Sequence, residues 1–392
     1  MTPAARVQAA IDILDLVIAA ARGNGAPADR VVSDWFRTRR FAGSKDRRAV
    51  RDLVYRAIRA CGELPASGRA AMLRLAADDA ALTALFDASP YGPQAIKPGE
   101  AVATGGVAPQ WLEQRLAASG VTGEEAAALL ERAPLDVRLN TLKGDVVNLP
   151  EGGTPIGIAG ALRYPHGTRI EDSEAYLSGA IEVQDAGSQL ACAAVSAREG
   201  EAVIDLCAGA GGKSLALAAL VGLLGTVIAC DTDRTRLSRL GPRALRAGAG
   251  DIIETRLLDP GREASALSDW QGRANAVLVD APCSGTGTWR RNPEARWRLS
   301  PQWLEGVTAL QSRLLDVAAG LVRPGGALIY VTCSLLDEEG ADQASAFLTR
   351  DEGWSADPLD LGAGVSRGQG LRLSPFRDGT DGFFIARLLR IC

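Results

Sequence analysis

The stretch EAVIDLCAGAGGKS, residues 201–214, decides how the chain is read. Val203 to Cys207 spell a short buried strand, Gly209, Gly211 and Gly212 a tight loop, and Lys213 to Leu224 an apolar helix. Strand, glycine loop and helix in that order form a nucleotide-type cradle, because glycines let the backbone approach a ligand and the helix N-terminus turns N–H groups toward it. An ordinary glycine turn closing a buried strand would use the same residues.

Three ligands compete for such a loop. A phosphate-binding P-loop ends in Gly-Lys-Ser, as residues 212–214 do, but Cys207 stands where its first glycine belongs. A nicotinamide fingerprint is met at Gly209 and Gly211 and fails at Ser214. S-adenosylmethionine requires a glycine loop and then an acid at the end of the next strand to bond the ribose. GTVIACD, residues 225–231, supplies that strand, and Asp231 that acid.

Length and composition bound the rest. At about 150 residues per domain, 392 residues suggest two or three domains. With 47% hydrophobic and 23% charged residues and no run of about 18 apolar ones, the chain reads as soluble and globular, with no membrane partner. Asp12 and Asp15 interrupt the first apolar run, so no signal peptide is expected and the expected compartment is the cytoplasm. Seven cysteines without a C-x-x-C pair argue against a disulfide framework and a metal site, and His166 is the single histidine. A net charge of −4 means that a nucleic-acid partner would be held by local basic patches.

Outward from the cradle, the first part of the chain is helical. Apolar spacing predicts helices around Ile11–Ile18, Val31–Phe36, Val50–Cys61 and Ala70–Phe86, the first stopped at Gly23-Asn24-Gly25. Arg37, Arg39, Arg40, Lys45, Arg47, Arg48 and Arg51 make a candidate phosphate-binding patch; a solvated helix face would look the same. Residues 87–109 read as a linker, and two short helices come next over 111–132. Short strands at 135–143, 156–164 and 180–185 suggest a small α+β module. Beyond the cradle, strands at 251–258, 274–280 and 327–332 alternate with helices at 235–247, 301–322 and 338–349, and 383–389 closes as a strand. Such alternation implies a mainly parallel, doubly wound sheet with ligands at the carboxyl ends of its strands.

Two cysteine motifs fall at such ends: DAPCSGTGTWRRNP at 280–293 and VTCSLLDEE at 331–339. Cys283 and Cys333 should therefore open onto one crevice. Buried cysteine behaving as a small hydrophobe suits Cys61, Cys192 and Cys230 better than Cys283, whose surroundings are loop chemistry.

These motifs resemble the RNA cytosine-5 methyltransferases, and most closely the bacterial subgroup acting on 16S ribosomal RNA, with an N-terminal domain similar to the antitermination factor NusB. The resemblance runs through FAGSKDRRAVRDLVYRAIR (41–59), RLNTLK (138–143), VQDAGSQ (183–189), DLCAGAGGKS (205–214), DAPCSGTG (280–287), TCS (332–334) and DGFFIARL (381–388). Ala210 departs from it, since many relatives carry proline there. The resemblance implies a helical NusB-like RNA-binding domain over 1–130, a small α+β module over 131–185 and a Rossmann-like methyltransferase domain over 186–392.

It also implies roles. Cys333 would be the nucleophile that adds at carbon 6 of cytosine, because carbon 5 is itself a poor nucleophile, and Cys283 would assist release. Asp280, at a strand end beside Cys283, would bond the cytosine near its ring nitrogen. Cys207, Ala208, Gly209, Ala210, Gly211, Gly212 and Lys213 would contact the methionine part of S-adenosylmethionine, Asp231 its ribose and Asp259 its adenine edge; Asp259 could equally open a turn. A helix dipole after Cys333 would favour its thiolate, and Asp337, Glu338 and Glu339 would oppose it. The base must leave its stack to meet both thiols, so Arg290, Arg291, Arg296 and Arg298, interleaved with Trp289 and Trp297, are expected to grip flanking RNA. The expected partner is RNA, ribosomal RNA foremost, with no obligate protein partner. A P-loop ATPase with Asp280 on magnesium, or a non-catalytic RNA-binding protein, would be the competing classes.

Overall fold

The structure, a computed structural model, describes every residue except Asn24, Arg40, 145–147 and Cys392. It divides into two compact units. Among the described residues no helix is long and apolar enough to cross a membrane.

The first unit comprises Met1–Glu131 together with Thr288–Trp303. Its helix Pro3–Arg22 starts where the Thr2 hydroxyl accepts the Ala5 N–H, with proline in the first turn, and buries Val7, Ile11, Leu14 and Ile18 at three- and four-residue spacing. Helices Ala28–Arg37, Ser44–Ala60 and Gly68–Ala76 complete the core. The helix expected to run to Phe86 breaks after Ala76, and Asp79 caps a separate turn, Ala80–Thr83. Residues 87–109 are not a free linker. Arg69 pairs with Glu100, the Ala103 N–H donates to the Ala70 carbonyl, and Glu113 accepts the Val107 and Ala108 N–H groups.

The membership of 288–303 in this unit corrects the expected boundary at 186–392. Arg296 is fully buried and donates to the carbonyls of Ile58 and Cys61 at 2.8 and 2.7 Å, so it closes the end of helix Ser44–Ala60, where the Ile58 carbonyl also accepts the Cys61 N–H. The Trp297 indole N–H donates to the Gly62 carbonyl, and Glu294 accepts the Ala28 N–H.

The second unit, Arg132–Gly287 with Leu304–Cys392, holds the small module and the large sheet together. The module is an antiparallel sheet of β1 (Leu135–Leu139), β2 (Thr154–Pro155), β3 (Ala161–Tyr164) and β4 (Ile181–Val183), in the order β2-β3-β1-β4. No break separates it from the large-sheet portion of the unit. The Asn140 amide donates to the Gly179 and Ala247 carbonyls, Glu182 pairs with Arg243 and Arg246, and Arg163 spans from Asp136 to the Gly379 carbonyl.

The large sheet contains β5 (Ala202–Asp205), β6 (Thr226–Asp231), β7 (Ile253–Leu257), β8 (Ala274–Asp280), β9 (Val322–Thr332), β10 (Trp354–Asp357), β11 (Val365–Arg367), β12 (Gly370–Leu373) and β13 (Phe383–Arg390). Its order is β11-β12-β13-β9-β8-β5-β6-β7, with β10 also on β13. The pairs from β9 through β8, β5 and β6 to β7 are parallel, whereas β13 runs antiparallel to β9 and brings β10, β11 and β12 with it. One apolar cluster, with Leu215, Val227 and Ile329, and a second, with Ile204, Val277 and Leu315, form the core. The helix expected over 235–247 is two pieces, Arg234–Leu237 and Leu240–Ala247, since Pro242 cannot donate to the Ser238 carbonyl. β5 lies between β6 and β8, so the connections leave it in opposite directions and open a crevice at the carboxyl ends, where Asp205, Asp231 and Asp280 stand.

Candidate active site

The loop after β5 is built on backbone geometry. Gly209 and Gly211 have φ of +57° and +83°, and a Cβ at Gly211 would stand 2.1 Å from Leu240 Cδ1, so glycine is required there. Asp231 closes the loop: its Oδ2 accepts the Gly209 N–H at 2.7 Å and its Oδ1 the Asp233 N–H at 2.7 Å. Ala210 presents its carbonyl to Arg243 and fits without proline.

Lys213 and Ser214 turn inward. Lys213 Nζ donates to Asp280 Oδ2 at 2.8 Å and lies over the Phe383 ring. Ser214 donates to the fully buried Asp205 at 2.6 Å. The side chains that a P-loop would give to phosphate and magnesium are thus engaged by two aspartates. Burial pushes Lys213 down, but the Asp280 carboxylate outweighs it and the ammonium is held above its ordinary range. Burial pushes the Asp205 carboxyl up to about 7, against the Ser214 hydrogen bond.

A cavity of about 350 Å³ opens at these strand ends. Asp231, Asp280, Cys207, Cys283 and Cys333 all line it. Ala208 to Lys213 shape one end of the crevice without lining the cavity. Asp259 is exposed in a turn, its carbonyl accepting the Arg262 N–H, while its neighbours Leu258 and Pro260 provide the wall. Sequence reasoning missed Arg236 and the pair of buried Glu263 with the half-exposed Arg313, bonded at 2.5 and 3.0 Å, which also line it. Only Glu263 at the start of a helical turn after Asp259 hinted at this wall.

Cys283 Sγ and Cys333 Sγ are 3.3 Å apart, both half-buried. The Gly287 N–H donates to the Cys333 carbonyl at 3.0 Å and keeps the two loops together. The hydrogen bond to Cys333, together with burial, pushes the Cys283 thiol well above its ordinary range. Burial also raises Cys61 and Cys192, each to about 11, in keeping with inert packing. Asp337–Glu339 form a separate short helical turn ahead of the helix Ala341–Arg350, and Glu339 is fully buried. That corrects the expectation of three acids in the first turn of one helix.

The basic residues part company. Lys45, Arg47 and Arg48 are exposed on the helix Ser44–Ala60, and Arg40 lies outside the described residues. Arg290 is buried, and its carbonyl accepts from Arg59; Arg291 is half-buried. Arg296 is consumed by carbonyls of its own unit, and Arg298 donates to those of Ala20, Gly25 and Ala26. Trp289 and Trp297 are core residues. The expected grip of Arg296 with these two indoles on RNA is therefore corrected: a fully buried guanidinium has no face left for a phosphate.

A largely parallel sheet with a reversed β13, a cradle after its central strand and an acid closing the next strand define a Rossmann-like methyltransferase fold. The crystal structure of PH0851 has this fold, with a TM-score of 0.75 at 24% identity over 99% of both chains. The methyltransferase homologue protein from Pyrococcus horikoshii gives 0.58 at 25% identity over 72% of this chain and 99% of that one. The family model described as 16S rRNA methyltransferase RsmB/F matches residues 192–389, and the chain belongs to that family. The ribosomal RNA small subunit methyltransferase B of Xylella fastidiosa is 35% identical over 297 residues, covering 72% of this chain and 68% of the relative. That of Thermus thermophilus is 39% identical over 212 residues, covering 54% and 50%. The chain spans 66%, 49% and 65% of the relatives from Xanthomonas campestris, Shewanella oneidensis and Pasteurella multocida, so about half to two thirds of their length.

Proposed function

We propose that this protein transfers a methyl group from S-adenosylmethionine to carbon 5 of a cytosine in RNA, with 16S rRNA as the substrate that the family description points to. The observation that carries the reading is the pair of thiols 3.3 Å apart on the wall of a cavity that also holds Asp231 and Asp280.

The cavity residues fit the cofactor. Asp231 keeps lone pairs beyond its two backbone bonds and can accept ribose hydroxyls, and Leu206, Leu258, Pro260 and Leu314 offer an apolar wall for adenine. When bound, S-adenosylmethionine supplies an electrophilic methyl group.

The remaining steps belong to the chain. Cys333 Sγ bonds to carbon 6 of cytosine, which makes carbon 5 nucleophilic. The proton that the Cys333 thiol gives up passes to ring nitrogen 3, where the Asp280 carboxylate, held by Lys213, accepts the new N–H and so orients the base as the adduct forms. After methylation a base removes the carbon 5 proton, the double bond re-forms, and the carbon–sulfur bond to Cys333 breaks. Cys283, whose thiol is held above its ordinary range and stands 3.3 Å away, protonates the departing sulfur and regains a proton as ring nitrogen 3 gives up its own. Lys45, Arg47 and Arg48 contribute phosphate contacts from the helical unit.

The test is methyl transfer from labelled cofactor to transcribed 16S rRNA, with the product mapped by bisulfite sequencing. A single protected cytosine is expected. Methyl incorporation at a base other than cytosine, or cofactor binding with no transfer to any RNA including assembly intermediates, would overturn the reading.

A further inference from the structure

Each cysteine is followed by a serine, and both serines converge on one acid. Glu339 Oε1 accepts the Ser284 N–H at 2.7 Å and the Gln311 amide at 3.1 Å. Its Oε2 accepts the Ser334 hydroxyl at 2.6 Å and the Ser284 hydroxyl. The two hydroxyls are themselves 3.1 Å apart, and Thr286 continues the network to Ser334 and the Leu335 N–H. Gln311 also donates to the carbonyl of Pro282, on the other side of Cys283. Tyr330, in β9, donates to the Glu339 carbonyl at 2.7 Å and fixes the acid's backbone to the strand that leads into Cys333.

Glu339, Gln311 and Ser334 are fully buried and Ser284 nearly so, so the cluster is shielded from water. A carboxylate placed there is costly unless every lone pair is used. Here the acceptors of Glu339 are spent on the residues immediately after both cysteines. None of these side chains lines the cavity, so the network acts on the thiols from behind.

We propose that Glu339 is a positioning residue that staples the Cys283 and Cys333 loops together and sets the thiol separation on which their sequential action depends. The proposal rests on the proposed function, in which the two thiols act one after the other. Glutamine at 339 keeps the shape but loses the charge: its carbonyl can still accept the Ser284 N–H and the Gln311 amide, and its N–H₂ can reach the two serine hydroxyls only if both turn round from donor to acceptor. Each charge-assisted bond becomes a weaker neutral one, the two loops are held less firmly, and the sulfurs drift apart while the cavity wall at Asp231 stays as it is.

The test has one arm that needs neither RNA nor cofactor. Phenylarsine oxide bridges two adjacent thiols, forming two arsenic–sulfur bonds and releasing one water. The reduced wild-type protein is expected to capture it, and Cys283→Ala to lose that capture. Glu339→Gln should weaken capture about tenfold or more, the worth of a lost charged hydrogen bond. In the second arm, Glu339→Gln with RNA and cofactor should hold a covalent adduct through denaturing electrophoresis at reduced turnover, with the cofactor KM within about twofold of wild type. Asn140→Ala, which removes two buried hydrogen bonds at the small module and none at the cysteine loops, serves as the stability control. Should Glu339→Gln not fold, Ser334→Ala, which removes the hydroxyl that ties the Cys333 loop to Glu339, is expected to show the same two effects, and Ser284→Ala, which leaves the Ser284 N–H on Glu339, a smaller loss. Wild-type capture by Glu339→Gln, equal loss in Asn140→Ala, or no capture by the wild-type protein would each overturn the staple. Absence of methyl transfer in the wild type would instead count against the proposed function and leave the arsenical result to decide the staple.

Discussion

Lys213 Nζ and Asp280 Oδ2 stand 2.8 Å apart and join the first turn of the helix after the glycine loop to the end of the strand that leads to Cys283. Lys213 is 11% and Asp280 29% exposed, so the pair is shielded but not dry. Lys213→Met should cost about 2 kcal/mol in urea unfolding, below the roughly 3–5 kcal/mol of a fully buried pair, because Asp280 regains some solvent. Adding Asp280→Asn should cost less than the sum of the two single losses. Strict additivity would show that the two groups do not act as a pair.

Asp231 is bonded to two loop N–H groups and faces the cavity, so its removal should act twice. Asp231→Ala is expected to weaken S-adenosylmethionine binding by about 1.5–3 kcal/mol in calorimetry, with Asp231→Asn in between. Unchanged affinity would take Asp231 out of the binding site.

Asp205 titrates near 7 when folded, against 3.8 for an ordinary aspartate, because it is buried. Between about pH 4 and 7 the unfolded chain has released this proton and the folded chain has not, so rising pH opposes folding through this group and the effect levels off above 7. Asp205→Asn keeps an acceptor for Ser214 and removes that titration. Its stability relative to wild type should therefore rise by about 3–4 kcal/mol from pH 4 to 7 and stay flat above, as read by unfolding at a series of pH values. A difference independent of pH would mean that Asp205 ionises normally.

The exposed and buried arginines should separate cleanly. Replacing Lys45, Arg47 and Arg48 by alanine is expected to weaken RNA binding and to lower the slope of log affinity against log salt by about 2, at roughly 0.7 per lost contact to single-stranded RNA. Arg296→Ala should leave that slope unchanged and lower thermal stability, because its guanidinium serves the Ile58 and Cys61 carbonyls. A change of slope in Arg296→Ala would return that residue to the RNA interface.

The two cysteines should fail at different steps. Cys333→Ala is expected to abolish methyl transfer and form no covalent adduct. Cys283→Ala should still attack and methylate, then stall, leaving an RNA–protein adduct that survives denaturing electrophoresis. The reverse pattern would exchange their roles, and no adduct in either variant would refute covalent catalysis.

The cradle, the alternation of strands and helices and the two cysteine motifs at strand ends could be read from residue order, because each is a local pattern: glycines where the backbone turns sharply, apolar runs where it is buried. The short strands β10, β11 and β12 were not legible. At three or four residues each they carry too little alternation to stand out, and they exist because β13 reverses beside β9 and offers them an edge. The stretch from Trp289 to Arg298 read as a basic segment suited to RNA. Whether Arg296 met a phosphate or two backbone carbonyls depended on a helix end some 235 residues earlier in the chain, which no local pattern encodes.

The candidate site divides in the same way. Residue order alone determined that Asp231, Asp280, Cys283 and Cys333 stand at or just past strand ends, because strand propensity and loop chemistry are short-range properties. Tertiary structure decided that the two sulfurs lie 3.3 Å apart. The parallel register that sets Asp280 against Val331 brings the two loops level, and buried Glu339 then bonds both. A third acid in an acidic run reads as a solvated helix start, and only burial among hydroxyls and amides turns it into a link between two distant loops.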